Sequence, residues 1–136
     1  MIYLDSAAVV KLVRQETHSA DLVVWLNSHD DAPLVSSALV EVEVPRALRR
    51  SAPQALIGVP AAVGRLFRLE IDSTIRATAA AFAEPGLRSL DAIHLATAQV
   101  LTNESGSALT AFVTYDRRLL EAAKAAGLPA ASPGQD

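Results

Sequence analysis

Short apolar runs alternate with longer stretches in which the apolar residues recur at helical spacing. The runs "MIYLD", "APLVSS" and "LTAFVTYD" carry few polar residues before their ends, which is typical of strands buried on both faces of a sheet. Between them, "SAAVVKLVRQ", "LDAIHLATAQVLTN" and "RRLLEAAKAAG" have the spacing of helices. Strands that alternate with helices predict an α/β fold with a central, mostly parallel sheet covered by helices on both sides.

The middle of the chain and its tail are less regular. Proline and glycine interrupt "SAPQALIGVPAAVGRLF", so the pattern predicts no single element there. The segment "RLEID" is interpreted as a strand, or as a turn into the helix "STIRATAAAFAE", and "LPAASPGQD" as a short edge strand with a frayed end. Because the chain shows no repeat, low-complexity block or linker, we predict one domain over residues 1–136.

Composition limits the classes of protein to which the chain can belong. Hydrophobic residues make up 51% and aromatic residues 4%, so the core is aliphatic, and the net charge of -3 gives no sign of a large basic surface. The absence of cysteine excludes disulfides and thiolate metal sites and indicates a reducing compartment. No apolar run has the length of a membrane span, and the first residues lack the layout of a signal peptide. We therefore expect a cytoplasmic protein with no membrane association.

Acidic residues follow two of the predicted strands. Asp5 ends the first strand and Asp116 ends "AFVTYD", and ligands bind at the carboxyl ends of the strands in open parallel sheets. Asp91, at the start of one helix, and Glu43, among apolar residues of another, are well placed to join them. Such a cluster must take up protons or bind cations. An all-oxygen site suits Mg²⁺ or Mn²⁺, which promote the hydrolysis or transfer of phosphate esters.

Four segments resemble, in order and spacing, the four motif blocks of PIN-domain ribonucleases: "IYLDSAAVVKL", "SSALVEVEVPRALRR", "LRSLDAIHLATA" and "FVTYDRRLLEAAKAAGL". They are most similar to the VapC toxins of type II toxin–antitoxin pairs. The resemblance implies a Rossmann-like α/β/α sandwich and a Mg²⁺- or Mn²⁺-dependent endoribonuclease that leaves 5′-phosphate and 3′-hydroxyl ends. It also implies a homodimer, a VapB-like antitoxin that blocks the acidic pocket, and transfer RNA or ribosomal RNA as the substrate.

The resemblance assigns catalytic, metal-binding roles to one acid from each block, namely Asp5, Glu43, Asp91 and Asp116. Ser6 and Thr114 match the supporting hydroxyl residues of the first and last blocks. Each role has a plainer alternative. Asp5 and Asp116 are also suited to cap the helices that follow them, and an acid such as Asp91 is favoured in the first turn of a helix.

Glu41 and Glu43 compete for the role of the second acid. Choosing Glu43 puts Ala47 and Leu48 at the spacing that the resembled block requires. The two glutamates point about 200° apart on a helix, so they cannot both face one pocket. Pro45 cannot donate to the carbonyl of Glu41, and we expect a kink or a late helix start there.

Arginines cluster after Glu43, at Arg46, Arg49 and Arg50. They are candidates for contact with RNA phosphates or with the antitoxin, since a guanidinium binds phosphate and carboxylate in a bidentate manner. An ordinary solvated helix face and a contact between subunits are equally compatible with the pattern. His94, one turn after Asp91, is interpreted as a structural residue.

Three other functions are alternatives to a nuclease. A catalytically weak or inactive PIN-fold module, which binds its antitoxin and through it operator DNA, is favoured if Pro45 displaces Glu43. A phosphatase of the haloacid dehalogenase type requires a second aspartate two residues after Asp5, where this chain has Ala7. A dinucleotide-binding protein requires the pattern G-x-G-x-x-G after the first strand, which is absent.

Overall fold

A parallel sheet forms the centre of the computed structural model, which describes residues 1–135. Its strands are β1 (Ile2–Leu4), β2 (Leu34–Ser37), β3 (Phe67–Leu69), β4 (Ala111–Val113) and β5 (Ala130–Ala131). Their spatial order is β3-β2-β1-β4-β5, and every pairing is parallel. The strands that precede Asp5 and Asp116 are therefore neighbours in the middle of the sheet.

Seven α-helices within residues 1–135 surround the sheet: α1 (Ser6–Val13), α2 (Ser19–Asn27), α3 (Val40–Ser51), α4 (Val59–Gly64), α5 (Ser73–Ala80), α6 (Ser89–Ser105) and α7 (Arg117–Ala125). The stretch rich in proline and glycine forms a 3-10 helix (Pro53–Gly58) followed by the short helix α4. The segment "RLEID" shares only Arg68 and Leu69 with β3, which ends there, and the edge strand predicted in the tail corresponds to β5. Within these residues no helix is both long enough and apolar enough to cross a bilayer.

Both faces of the sheet are buried, because successive side chains of a strand point to opposite faces. Ile2 and Leu4 of β1 pack into one core cluster with residues of α1, α2 and α3. Tyr3, between them, packs into a second cluster with residues of α6 and α7. The chain is thus an α/β/α sandwich, which confirms the predicted fold class, with a sheet that is entirely parallel.

Helix α3 does not begin late, so the late start expected from Pro45 was wrong, while the alternative of a kink stays a prediction. The helix is continuous from Val40 to Ser51, and the Glu43 amide already donates to the Leu39 carbonyl at 2.8 Å. Proline removes only one hydrogen bond of the helix. Packing outweighs that loss, since α3 buries an apolar face made of Val40, Val44 and Leu48.

Two isoleucines provide a matched test of how much the burial of side chains between α5 and α6 contributes to stability. Ile75 of α5 is 1% exposed and packs against Ala96 and Val100 of α6, whereas Ile57 is 91% exposed. We expect Ile75→Ala to lower the free energy of unfolding by about 2–5 kcal/mol, because it leaves a cavity. Ile57→Ala should change it by about 0.5 kcal/mol or less. Urea unfolding of both variants measures the difference, and equal losses would contradict the packing described.

Candidate active site

Asp5 is fixed where β1 ends by a hydrogen bond to each carboxylate oxygen. The Ala8 amide donates to Oδ1 at 2.9 Å and caps α1, and the Thr114 hydroxyl donates to Oδ2 at 2.6 Å. Burial raises the pKa of Asp5, and the hydrogen bonds from Thr114 and Ala8 offset only part of that effect. The nearby carboxylate of Asp91 raises the pKa further. Asp5 therefore caps a helix and also belongs to a cluster of acids.

Thr114 connects the acids that follow the two central strands. Its side chain is fully buried, and its hydroxyl donates to Asp5 while accepting a hydrogen bond from the Asp116 amide at 3.1 Å. Asp116 in turn caps α7, accepting from the Leu119 amide at 3.0 Å. The structure thus brings Asp5, Thr114 and Asp116 together at one edge of the sheet.

Glu43 reaches this edge from α3. The Ser6 hydroxyl lies 2.6 Å from Glu43 Oε1 and donates to it, and His94 Nε2 lies 2.9 Å from the same oxygen. Burial by itself would raise the pKa of Glu43, but the hydrogen bonds from His94 and Ser6 outweigh burial and lower it. Glu43 is therefore held as an anion.

Glu41 lies elsewhere. Its Oε2 pairs with Arg68 Nη1 of β3 at 3.2 Å. Of the two glutamates, Glu43 is the one in contact with Ser6, and it is the one that the spacing of the resembled block selected.

His94 has a larger part in the site than its interpretation as a structural residue suggested. The ring is buried, with Tyr3 Oη 2.7 Å from Nδ1 and Ser6 Oγ 3.1 Å from Nε2. Burial raises the pKa of Tyr3 well above its usual range, so the phenol keeps its proton and donates to Nδ1. We therefore assign the hydrogen on Nε2, which faces the carboxylate of Glu43. The sequence feature that could have indicated this role is the position of His94, three residues after Asp91 and on the same side of the helix.

Asp91 and Asp116 are joined by a cation that the sequence reasoning missed, Arg88. Its Nε donates to Asp91 Oδ2 at 3.2 Å and its Nη2 to Asp116 Oδ2 at 3.0 Å. Burial raises the pKa of Asp91 and repulsion from Asp116 adds to this, while Arg88 offsets part of the shift. The sequence feature that could have indicated this contact is the position of Arg88, three residues before Asp91.

The three arginines of α3 have exposed side chains, and among residues 1–135 none of them forms an ion pair. Arg46 and Arg50 follow Glu43 by three and seven residues, which puts them on its side of the helix. Arg49 lies on another side. Their contact with RNA or with an antitoxin stays a prediction.

The donor set fits a hard divalent cation, because the clustered acids supply only oxygen ligands. As the side chains stand, however, no three His, Asp or Glu residues in the described part of the chain are close enough to hold a metal ion. The reason is visible in the contacts: each carboxylate is already paired with protein donors, such as Thr114 at Asp5 and Arg88 at Asp91. Metal binding therefore requires some of these side chains to exchange partners.

The opposite pKa shifts of Asp5 and Glu43 predict opposite effects of pH on stability. The raised pKa of Asp5 means that the native state loses stability as pH rises above the ordinary range of aspartate titration. The lowered pKa of Glu43 means that the native state gains stability as pH rises through the range below ordinary glutamate titration. Asp5→Asn should therefore become more stable relative to the unsubstituted chain with rising pH, and Glu43→Gln less stable. Urea unfolding at a series of pH values in EDTA measures both slopes, and slopes of the same sign would refute these electrostatics.

Comparisons with known proteins show the family to which the chain belongs. Residues 2–125 match the PIN domain family. The chain is 53% identical to Ribonuclease VapC35 of Mycobacterium tuberculosis over 135 residues, which cover 99% of this chain and 98% of that protein.

Two solved structures share the fold. The crystal structure of Mycobacterium tuberculosis VapC20, titled a sarcin–ricin loop cleaving toxin, superposes with a TM-score of 0.67 at 14% identity and covers 94% of this chain and 96% of that one. FitAB bound to a DNA fragment superposes with a TM-score of 0.65 at 18% identity, covering 100% of this chain and 97% of that one. Identities of 14% and 18% show the fold alone, whereas the 53% identity to VapC35 over 99% of this chain shows the family. The chain belongs to the PIN-domain family and, within it, to the VapC proteins.

Proposed function

We propose that this chain is a metal-dependent endoribonuclease of the VapC type, which holds Mg²⁺ or Mn²⁺ through Asp5, Glu43, Asp91 and Asp116. The observation that carries the proposal is the grouping of acids at the carboxyl edge of β1 and β4. Thr114 bonds to both Asp5 and Asp116, and Asp91 is close enough to raise the pKa of Asp5. This much buried and half-buried negative charge is suited to a divalent cation.

A bound divalent cation would neutralise the phosphodiester and activate water for attack at phosphorus. The chain's own residues set the conditions for that chemistry. Thr114 and the Ala8 amide fix the orientation of Asp5. Ser6 and His94 both bond to Oε1 of Glu43, which leaves Oε2 free of partners among residues 1–135 and available as a ligand.

The relatives support a proposal for the substrate and the partners. A chain 53% identical to a protein named as a ribonuclease is expected to act on RNA, and we propose transfer RNA or ribosomal RNA as the target, cut in the cytoplasm. Membership among the VapC proteins supports a VapB-like antitoxin as the partner and a homodimer as the assembly.

One alternative is a PIN-fold module that is catalytically weak and acts by binding its antitoxin and operator DNA through it. Within residues 1–135 no three His, Asp or Glu residues stand close enough to hold a metal ion, which is compatible with such a module. Calorimetric titration with Mn²⁺ separates the two functions. A nuclease should give heat that is lost in Asp5→Asn, whereas an inactive module should give none.

Glu43 and Glu41 form a matched pair for the first activity test. Glu43→Gln should reduce metal-dependent RNA cleavage by about a hundredfold or more, because a ligand contributes several kcal/mol to stabilising charge in the transition state. Glu41→Gln removes the same charge from the same helix but only breaks a pair with Arg68, so its cleavage should stay within about threefold of the unsubstituted chain. Cleavage of total RNA with Mg²⁺ or Mn²⁺, and with EDTA as a blank, measures both. Equal activities of the two variants would count against the assigned site.

The chemistry of the attack makes a separate prediction. If water is the nucleophile, the ribose 2′-hydroxyl takes no part, and a single 2′-deoxy substitution at the cleaved position should leave the RNA cleavable with 5′-phosphate and 3′-hydroxyl ends. End-labelled substrates with and without the substitution provide the measurement. Loss of cleavage with retained binding would exclude this mechanism.

A further inference from the structure

Arg88 occupies a position that helix energetics do not explain. It is the N-cap residue of α6, where it makes no side-chain capping bond, and arginine cannot accept one from the first amides. Its positive charge also lies at the positive end of the helix dipole, which is unfavourable. The main chain is fixed, since the Arg88 carbonyl accepts from the Ala92 amide at 2.8 Å, while 72% of the side chain is exposed. The presence of arginine at this N-cap position is therefore explained by the contacts of its side chain.

Those contacts put one guanidinium between two of the proposed metal ligands. Nε and Nη2 bond to Asp91 Oδ2 and Asp116 Oδ2, at 3.2 and 3.0 Å. Asp91 and Asp116 lie on different elements, the first turn of α6 and the segment after β4, so the guanidinium also holds the two carboxylates near one another. A divalent cation that took either of these Oδ2 atoms as a ligand would displace the guanidinium from it.

The single positive charge of Arg88 does not neutralise the clustered carboxylates. The carboxylates of Asp5, Asp91 and Asp116 lie at this edge of the sheet, and Arg88 brings one positive charge that bonds to two of them. A doubly charged ion is therefore favoured over the guanidinium at this position.

We propose that Arg88 is an internal counter-ion that divalent metal displaces: it bridges Asp91 and Asp116 in the metal-free chain and is released when the ion binds. The inference rests on the proposed function, since it takes these acids as metal ligands. The exchange sets the apparent affinity for the metal, because the ion pairs with Arg88 must break before the ion gains both oxygens. It also keeps the two aspartates together while no metal is bound.

The direct test observes Arg88 in the unsubstituted protein. In a ¹H–¹⁵N spectrum of the arginine Nε–H groups, saturating Mg²⁺ should shift the Arg88 signal and speed its exchange with water, since the bond to Asp91 is lost. The signal of Arg68, which pairs with Glu41 away from the cluster, serves as the internal control and should not move. An Arg88 signal unchanged at Mg²⁺ saturation overturns the proposal, and this result does not depend on the folding of any variant.

Calorimetry with Mn²⁺ supplies the second measurement. Arg88→Ala should bind Mn²⁺ about five- to thirtyfold more tightly than the unsubstituted chain, because two exposed ion pairs and one charge repulsion no longer oppose the ion. Arg88→Lys, which keeps the charge but cannot span both carboxylates, should fall between the two. Arg68→Ala removes an arginine–carboxylate pair elsewhere and should leave the affinity unchanged.

The outcomes separate the inference from the proposed function. Mn²⁺ binding that depends on Asp5 but does not tighten in Arg88→Ala overturns the role of Arg88 and leaves the metal site standing. Binding that appears only in Arg88→Ala supports the displacement. Absence of binding to every variant overturns both proposals.

Discussion

The hydrogen bond from the Thr114 hydroxyl to Asp5 ties the two central strands together at the point where both end. It is a short bond to a buried carboxylate, and the same hydroxyl accepts the amide of Asp116. Because β1 and β4 are adjacent and parallel, the residues after them meet at one edge of the sheet, and this bond fixes how they meet. The positions of α1 and α7 depend on it as well, since both helices start from the two aspartates that it links.

Around that bond the molecule tolerates an electrostatic conflict. Burial disfavours the charged form of Asp5 and Asp91, yet neither is replaced by a neutral residue. The surrounding donors lower the cost without removing it, since Thr114 and the Ala8 amide at Asp5 are neutral and the charged side chain of Arg88 at Asp91 is mostly exposed. Glu43 is the exception, because Ser6 and His94 stabilise its anion more than burial opposes it. An arrangement of this kind is usual where function, rather than stability, determines the residues.

The sequence was sufficient for the features that follow from topology and less so for those that depend on side-chain packing. The alternation of apolar runs and helical spacing predicted the sandwich, and the place of Asp5 and Asp116 after neighbouring strands predicted their convergence. Helix rotation showed that Glu41 and Glu43 cannot both face one pocket, and the spacing of the resembled block then selected Glu43. The bonds of His94 to Glu43 and Tyr3 could not be predicted, because they join elements far apart in the chain. Arg88 was missed for the same reason, since one of its partners lies 28 residues away.

One carboxylate oxygen of Asp5 stabilises the fold and the other contacts the candidate site, and this has a consequence for evolution. One oxygen starts α1, and the other bonds to Thr114 at the centre of the acids. A descendant of this chain that abandoned catalysis would still be selected to keep Asp5 for the sake of its helix, because an N-cap contributes about 1 kcal/mol to stability. Glu43 caps no helix, and its contacts are with Ser6 and His94 of the candidate site. A retained first aspartate is therefore, by itself, weak evidence that a relative is an active enzyme.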